Sequence, residues 1–492
     1  MIAAVLASAL SVIPQPTHVD RLGGEVLSGM PVVYRTDSSI DEEGYRLIIA
    51  SNRIEIACSG NTGRYYAGVT LDQLKRPSGS GECFVYPCVL IEDSPAYKWR
   101  GIHFDDCRHF FGKQTLKKTL DVMARYKLNR LHWHLTDDQG WRLDIPGYPD
   151  LVKYAAVRSS SPRHGEHPHF SQPKDRQLAA SDGVRYGPFY YTEEDVREIV
   201  AYADERHIQI VPEIELPGHF QAVFAAYPEF ACCPENVQER DPLCVWGISN
   251  EVMCLGNDGA VKFMENVLDY VCRVFPGNVV HIGGDECPQM RWKTCPKCQA
   301  RIVMEKLGDE HGLQPWITRH FVHFLEARGK RALGWDEYLL GNVPKTAIGM
   351  SWRERRDGAG HELVSGAAAA LRGHDVVMTP CSYCYLDMRQ GLANDPFDYI
   401  GGNLTLARCY SFDPVAGVPE SARTHILGQG NNWSEYTWNE HELAWKMWPR
   451  GLALAEVFWT GSKRPGFADF RRRASEHRKH LVQQGVNCAP ME

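Results

Sequence analysis

The chain has 492 residues, which is enough for one large domain and a smaller one. Its 54 basic and 61 acidic residues give a net charge of −7 without any run of Lys or Arg, so nucleic acid is not an expected partner. No apolar stretch has the roughly 20 residues that a membrane span needs. The 13 Trp and 21 Tyr residues favour platforms that stack on sugars, although most of them must belong to the core.

The first residues of the chain are apolar and contain Ala7-Ser8-Ala9. This pattern is similar to the apolar region and cleavage site of a signal peptide, but the positively charged region that should precede it is missing. Three interpretations stay open: a signal remnant at 1–9, a wrongly assigned start, or a first strand that runs into Ile13-Pro14. We favour an exported protein, either periplasmic or secreted.

Residues 1–95 are predicted to form a small α+β domain. The alternating runs at 45–50 and 53–58 favour an antiparallel sheet. Residues 65–74 favour a helix packed on that sheet, and Asp93-Ser94-Pro95 marks the boundary. No catalytic group of residues is expected in this domain.

Residues 96–492 alternate between apolar strands and amphipathic helices, which is typical of a (β/α)8 TIM barrel. The predicted strands are 100–105, 130–136, 208–215, 279–285, 332–336, 347–352, 375–380 and 426–431. Helices between them are predicted, for example, at 115–126, 193–206, 260–275 and 315–328. The competing fold is a doubly wound sheet, but no Gly-rich phosphate turn follows the first strand. The predicted fold is therefore α/β, a barrel preceded by the small α+β domain.

The sequence contains 16 cysteines, including two Cys-x-x-Cys pairs, Cys295/Cys298 and Cys381/Cys384, and the adjacent Cys232-Cys233. A zinc ribbon would need its pairs much closer in sequence. We expect a local disulfide or buried thiols, and we predict neither a metal nor a cofactor. The long irregular segment at 155–188 holds His164, His167 and His169, which we interpret as surface residues of an insertion above the active face.

Acidic and aromatic residues follow all eight predicted barrel strands, and barrel enzymes place their chemistry at these strand ends. The stretch His281-Ile-Gly-Gly-Asp285-Glu286 is the most specific, because two glycines and two adjacent acids end a buried strand. Such a pair suits work on a sugar, since one acid can protonate a leaving oxygen while its neighbour holds the reacting partner. Two solvated acids at a strand end are the alternative, and the other strand ends argue against it.

Four motifs in order resemble family 20 glycoside hydrolases, the β-N-acetylhexosaminidases. They are Trp99-Arg-Gly-Ile-His-Phe-Asp105-Asp-Cys-Arg108, His132-Trp-His-Leu-Thr-Asp137-Asp138, Pro212-Glu-Ile-Glu-Leu-Pro-Gly-His219 and the segment that ends in Asp285-Glu286. The resemblance covers nearly the whole chain, including a small domain before the barrel. It implies an exo-acting, retaining enzyme that removes terminal β-linked GlcNAc or GalNAc from an oligosaccharide or glycoconjugate.

The resemblance also implies catalytic roles. Glu286 is the expected general acid, and Asp285 is expected to hold the N–H of the substrate's 2-acetamido group. The carbonyl oxygen of that group attacks the anomeric carbon, so the reaction passes through an oxazolinium ion and is assisted by the substrate. Tyr385 is expected to orient the acetamido oxygen, and Asp137 and His219 to support the acid.

Sugar-binding roles follow from the same resemblance. Arg108 matches the residue that binds the 3- and 4-hydroxyls, and Asp387 and Glu435 match acceptors for the remaining hydroxyls. An aromatic box around the acetamido methyl and the sugar face is expected from Trp335, Trp352 and Trp433.

Two departures from the family pattern stand out: Glu215 replaces an Asp that many relatives carry, and the loop at 229–255 has no consensus. The second leaves leaving-group specificity open.

Two rival functions also stay open: a metal-dependent barrel amidohydrolase, suggested by His132 and His134, and a glycan-binding protein with an inactive site. The natural glycan and the oligomeric state are not predicted.

Overall fold

The computed structural model describes residues 10–79, 81, 83–162, 164–167, 169, 184–237, 240–353 and 365–491. The possible signal remnant at 1–9 lies outside these residues. Residues 10–13 are not in a strand, which argues against the third of the interpretations left open for the start of the sequence. Among the described residues, no helix is long and apolar enough to cross a membrane.

The small N-terminal domain is a six-stranded sheet covered by the helix Asn61–Leu74. Its strands are β1 (His18–Leu27), β2 (Val32–Thr36), β3 (Tyr45–Ala50), β4 (Arg53–Cys58), β5 (Arg76–Pro77) and β6 (Phe84–Asp93). Neighbouring strands are antiparallel except for β2 and β4, which run parallel. Alternate residues of β3 are buried, which is the pattern that predicts a sheet with one face on the core.

The second domain is a closed barrel of eight parallel strands. These strands are β7 (Arg100–Asp105), β8 (Arg130–His134), β11 (Gln209–Glu213), β12 (Val279–His281), β13 (Arg331–Trp335), β14 (Ile348–Ser351), β15 (Val376–Met378) and β16 (Ile426–Gly430). The short β9 (Thr136–Asp137) and β10 (Gly140–Trp141) form a hairpin outside the barrel. Strand β16 pairs with β7 and closes the ring, so the predicted fold class is confirmed.

Helices surround the barrel, and short helices lie within the loops that connect its strands. Among the described residues they are Gly112–Arg125, Glu193–Asp204, Gln221–Ala226, Asp258–Val274, Met290–Thr294, Pro296–Glu305, Leu313–Glu326, Gly366–Leu371, Cys381–Cys384, Leu406–Tyr410, Glu440–Met447, Arg450–Thr460 and Phe467–Gln483. Shorter 3₁₀ or π turns occur at Leu151–Ala155, Pro228–Phe230, Pro234–Asn236, Glu310–Gly312, Asp336–Leu340, Glu420–His425 and Gly461–Lys463. Each of the four helices named from the sequence is found within three residues of its predicted ends.

Seven of the eight predicted barrel strands were too long at their carboxyl ends, whereas the first has its predicted bounds, 100–105. The fourth barrel strand ends at His281 rather than Asp285, because Gly283 and Gly284 have φ angles of 59° and 101°, which no strand accommodates. The third ends at Glu213 rather than Glu215. Residues after the strands stay buried under those loops, and burial alone made them resemble strand residues.

Buried ion pairs join the small domain to the amino-terminal end of the barrel. Arg100, the first residue of β7, binds Glu43 through both terminal nitrogens at 2.9 and 3.0 Å. Lys127 donates to Asp93 at 3.1 Å, and Trp459 donates to the same carboxylate at 2.9 Å. The carboxyl ends of the strands, where barrel enzymes work, lie at the opposite face.

Candidate active site

The floor of the site is a buried carboxylate, Glu213, at the end of β11. Strand register aligns Glu213 with His134 of β8 and His281 of β12, so the three side chains meet on one face. His281 Nδ1 lies 2.9 Å from the carboxylate, His134 is in closer contact, and Trp335 Nε1 donates to it at 2.8 Å. Burial alone would raise the pKa of Glu213, but His281 and His134 outweigh it and hold the pKa well below its usual value. No role was predicted for Glu213 from the sequence.

Arg108 lies on one side of this floor and is itself buried. Its Nη2 is 2.7 Å from Asp137 Oδ2, its Nη1 is 3.4 Å from Asp105, and its Nε donates to Gln139 at 3.1 Å. The guanidinium carbon also lies 4.8 Å from the ring centre of Trp433. Arg108 is therefore fixed from several sides in a planar orientation that suits adjacent hydroxyl groups.

His219 connects Asp137 to the pair of adjacent acids. Its Nδ1 lies 3.2 Å from Asp137 Oδ1 and 3.2 Å from Asp138 Oδ2. Its Nε2 lies 3.7 Å from both Asp285 Oδ2 and Glu286 Oε2. Burial would lower the pKa of His219, but the Asp137 and Asp285 carboxylates raise it well above the usual value. The ring is therefore a buried cation between two groups of carboxylates.

Asp285 and Glu286 differ in exposure although they are adjacent. Asp285 is buried, whereas the Glu286 side chain is 39% exposed. Burial raises the pKa of Asp285 to about 6, with His219 acting in the opposite direction. The buried Oδ1 of Asp285 has no hydrogen-bond partner among the described residues, which leaves an acceptor for a ligand N–H.

The first of the two glycines before this pair has a steric reason. A Cβ atom on Gly283 would lie 1.7 Å from Oε2 and 2.4 Å from Cδ of Glu215, so the Glu215 carboxyl group would have to move. Glu215 is fully buried, neither of its carboxylate oxygens has a partner among the described residues, and burial raises its pKa well above the usual value. Glu215 therefore fills the space beneath Gly283, and its burial favours the neutral form of the carboxyl group.

Aromatic rings form one wall of the site. The ring centres of Trp335 and Trp433 are 5.6 Å apart, those of Trp352 and Tyr385 are 6.3 Å apart, and those of Tyr385 and Trp433 are 6.5 Å apart. Burial raises the pKa of Tyr385 well above its usual value, so its hydroxyl stays a hydrogen-bond donor. The four rings together offer an apolar surface on this side of the site.

Two further acids complete the site. Asp387 is buried, both of its carboxylate oxygens are without partners among the described residues, and burial with the nearby Glu435 raises its pKa to about 7. Burial also raises the pKa of Glu435, against the attraction of Arg108. The structure thus places all eleven residues predicted for the site at or after the carboxyl ends of the barrel strands: Arg108, Asp137, His219, Asp285, Glu286, Trp335, Trp352, Tyr385, Asp387, Trp433 and Glu435.

Glu337 is a residue whose role the sequence analysis missed. Its Oε1 accepts a hydrogen bond from the backbone N–H of Glu286 at 3.4 Å, and its Oε2 accepts one from Trp352 Nε1 at 3.2 Å. Arg353 lies 3.3 Å from the same carboxylate. Glu337 therefore fixes both the acid and the aromatic wall, and its position directly after a barrel strand was the available signal.

Several groups of side chains in the site have the composition of metal ligands, such as His103, His132 and Glu213. His132 Nε2 lies 3.0 Å from Glu213 Oε2, and both residues are fully buried. His132 therefore lies within ion-pairing distance of this carboxylate, whereas His103 Nε2 is 3.9 Å from it. The three loop histidines are exposed, as expected, and His164 pairs with Asp398 at 3.2 Å.

Eight parallel strands with a cluster of carboxylates, an arginine and an aromatic wall at their carboxyl ends define the class: a carbohydrate-directed TIM-barrel hydrolase. The model for the catalytic domain of glycosyl hydrolase family 20 matches residues 97–462, and the model for domain 2 of that family matches residues 28–94. The chain belongs to glycosyl hydrolase family 20 and is a glycoside hydrolase.

Characterised relatives agree with this assignment. A β-hexosaminidase of Porphyromonas gingivalis is 39% identical over 94% of this chain, which spans 57% of that relative's length. A β-hexosaminidase of Akkermansia muciniphila is 32% identical over 96% of this chain and 91% of its own. The crystal structure of an exo-β-N-acetylglucosaminidase from Vibrio harveyi, in complex with N-acetylglucosamine, has a TM-score of 0.83 at 28% identity and covers 98% of this chain and 78% of its own.

Proposed function

We propose that the protein is an exo-acting, retaining β-N-acetylhexosaminidase that removes terminal non-reducing GlcNAc or GalNAc. The observation that carries this proposal is the pair Asp285 and Glu286 beside the aromatic wall. One acid is buried with a free acceptor, and its neighbour is open to solvent. That difference suits two distinct tasks, the holding of a substrate group and the transfer of a proton.

The first step is attack by the substrate's own acetamido oxygen on the anomeric carbon. Asp285 Oδ1 accepts the acetamido N–H, and the Tyr385 hydroxyl donates to the carbonyl oxygen, so the oxygen is aimed at the carbon. The methyl group occupies the space between the tryptophans. As positive charge develops on the oxazolinium ring, the Asp285 carboxylate stabilises it in a site where water does not screen the interaction.

Glu286 supplies the proton that the leaving oxygen needs. After the leaving group departs, the Glu286 carboxylate takes a proton from the water that opens the oxazolinium ring, which follows from microscopic reversibility. Two displacements at the same carbon give overall retention. The His219 cation, whose Nε2 lies 3.7 Å from both acids, stabilises the ionised form of Asp285 and lies beside the Glu286 carboxyl group.

Recognition of a terminal sugar is the task proposed for the remaining polar residues. Arg108, held by Asp137 and Asp105, donates to the 3- and 4-hydroxyls. Asp387 and Glu435 accept from the remaining hydroxyls, and the unpaired oxygens of Asp387 support this role. A pocket that binds these hydroxyls directly leaves no room for a further sugar at the non-reducing end, which is the basis for exo action.

A panel of aryl β-glycosides tests the proposal. We expect turnover of the GlcNAc and GalNAc substrates and none of the glucoside, which lacks the acetamido group. Equal activity on the glucoside would exclude the acetamido pocket. The same assay after exhaustive chelation separates this function from a metal-dependent amidohydrolase, which would lose its activity. Absence of turnover on every substrate together with glycan binding would identify an inactive binding protein.

We also propose that the protein is exported, an inference supported by the apolar start of the sequence. Fractionation of native cells, with activity measured in the periplasm, medium and cytoplasm, tests it. Activity confined to the cytoplasm would contradict export.

The division into domains at residue 95 likewise stays a prediction, which limited proteolysis can test.

A further inference from the structure

Four cysteines from distant parts of the sequence meet outside the active site. The Sγ atoms of Cys232, Cys254, Cys295 and Cys298 all lie within 4.8 Å of one another. Three of these residues are buried and Cys232 is half-buried. All sixteen cysteines lie within the described residues and none forms a disulfide, so the local disulfide considered for Cys295 and Cys298 is not present.

The distances between these sulfur atoms match those around a single metal ion. Cys232 and Cys298 are 3.7 Å apart, Cys254 and Cys295 are 3.7 Å apart, and Cys254 and Cys298 are 3.8 Å apart. A tetrahedral zinc ion with Zn–S bonds of about 2.3 Å would place its sulfur atoms about 3.8 Å from one another. The three measured distances agree with this value.

Two disulfides fit the arrangement less well. A disulfide brings its sulfur atoms to about 2.0 Å and leaves other sulfurs at a clearly larger distance. Here Cys254 is as close to Cys298 as to Cys295, and Cys298 is as close to Cys232 as to Cys254. The sulfur atoms do not separate into pairs, which is the geometry of shared coordination.

We propose that Cys232, Cys254, Cys295 and Cys298 bind one zinc ion in a tetrathiolate site. Binding releases the four thiol protons as four Zn–S bonds form, so the ion and its ligands carry a net charge of −2. Four protein ligands leave no position for water, so the site is structural rather than catalytic. Softness of the ligands and tetrahedral geometry favour zinc over calcium or magnesium.

The local structure holds all four ligands in place. Cys295 and Cys298 flank the start of the helix Pro296–Glu305, whose amino-terminal dipole favours thiolates. The backbone N–H of Cys254 donates to the Phe230 carbonyl at 2.8 Å, and Ala231 pairs with Met253 in a β-bridge. Cys232 and Cys254 are thereby held side by side at the two ends of one long loop.

Gly256 allows this loop to approach the second pair. A Cβ atom at Gly256 would lie 2.1 Å from the carbonyl carbon of Lys297 and 2.5 Å from the backbone nitrogen of Cys298. Because those contacts are with backbone atoms, the clash could not be relieved by a side-chain rotation. Any larger residue at 256 would separate Cys254 from Cys298.

The site joins the two loops that carry the reacting groups. The loop after β11 holds His219 as well as Cys232 and Cys254, and the segment after β12 holds Asp285 and Glu286 as well as the other two cysteines. Two more contacts join the same loops: Trp292 Nε1 donates to the Met253 carbonyl at 3.0 Å, and Arg291 donates to Glu251 at 2.5 Å. The ion would therefore fix the distance between His219 and the acids that it supports.

The direct test is the metal content of the full-length protein. After dialysis against a chelator, elemental mass spectrometry should find about one zinc ion per chain. Cys298→Ser should lose most of the zinc. Cys233→Ser is the matched control and should retain the zinc, because Cys233 follows the ligand Cys232 in sequence but lies outside the cluster. Titration of wild-type protein with a mercurial reagent should release the zinc to a colorimetric indicator.

Other results would overturn the proposal. One is zinc well below one per chain in protein produced with added zinc. Another is an intact mass about 4 Da below the reduced value, with both disulfides mapped by peptide analysis to these four cysteines. Stoichiometric iron in place of zinc would overturn the choice of metal. If Cys298→Ser does not fold, the metal content and intact mass of the wild-type chain still decide the question. None of these measurements depends on enzymatic activity.

Discussion

Replacement of His219 by Asn should shift the acid side of the pH profile upwards. Asp285 must be ionised to stabilise the oxazolinium ion, and its pKa of about 6 sets the pH below which kcat/KM falls. The His219 cation lowers that pKa by attraction. Asn removes the charge, and it tolerates the left-handed backbone at this position, where φ is 48°.

The size of the shift follows from the distance. A unit charge 3.7 Å from Asp285 Oδ2 contributes about 1 kcal/mol at a dielectric constant of 80 and about 4 kcal/mol at 20. These energies correspond to about 1 to 3 pKa units. Because Asp137 and Asp138 lie 3.2 Å from the other ring nitrogen and offset part of the field, we expect the lower half of that range. The pH below which kcat/KM falls should therefore move from about 6 to about 7–8.

The assay is kcat/KM for an aryl β-GlcNAc with a good leaving group, measured across pH for wild type and variant. At pH 5, kcat/KM expressed as a fraction of its plateau value should be about 10- to 100-fold lower for the variant than for wild type. His323→Gln is the control, because His323 is exposed on the outside of the barrel. If the fall of kcat/KM on the acid side occurs at the same pH in the variant, or at a lower pH, the electrostatic role of His219 is refuted.

Three further predictions concern the acids and the acetamido group. Glu286→Gln should lower turnover of natural glycosides by about 10²- to 10⁴-fold but that of activated aryl glycosides much less; an equal loss on both would show that Glu286 is not the acid. Asp285→Asn should be impaired even with activated leaving groups, and added azide should give no inverted glycosyl azide, a product that would contradict its role. A thiazoline mimic of the intermediate should bind about 10²-fold or more tightly than substrate, and inhibition constants no better than the KM would contradict the acetamido pocket.

The sequence predicted the barrel because its strands and helices are local patterns, and the resemblance to family 20 indicated which residues at the strand ends belong to the site. Apolar runs such as 279–281 and the acids directly after them lie within a few residues of one another, and parallel strands bring their ends to one face. Strand ends were less accurate, since Gly283 and Gly284 turn the chain while it is still buried.

Long-range pairings could not be predicted in the same way. His134 and Glu213 are 79 positions apart, and Cys232 and Cys298 are 66 apart. Which side chains meet across such distances depends on strand register and on the path of the loops. Spacing alone therefore did not indicate the four-cysteine cluster, although the Cys295/Cys298 pair was visible at the start of a helix.

The reaction assisted by the substrate is tested most directly by weakening its nucleophile. An aryl β-GlcNAc series in which the acetyl group carries one, two and three fluorine atoms lowers the electron density on the carbonyl oxygen in steps while its size changes little. If that oxygen attacks the anomeric carbon, log kcat/KM should fall steadily along the series. A rate that does not depend on the number of fluorine atoms would mean that an enzyme carboxylate is the nucleophile, and it would contradict the roles given to Asp285 and Tyr385.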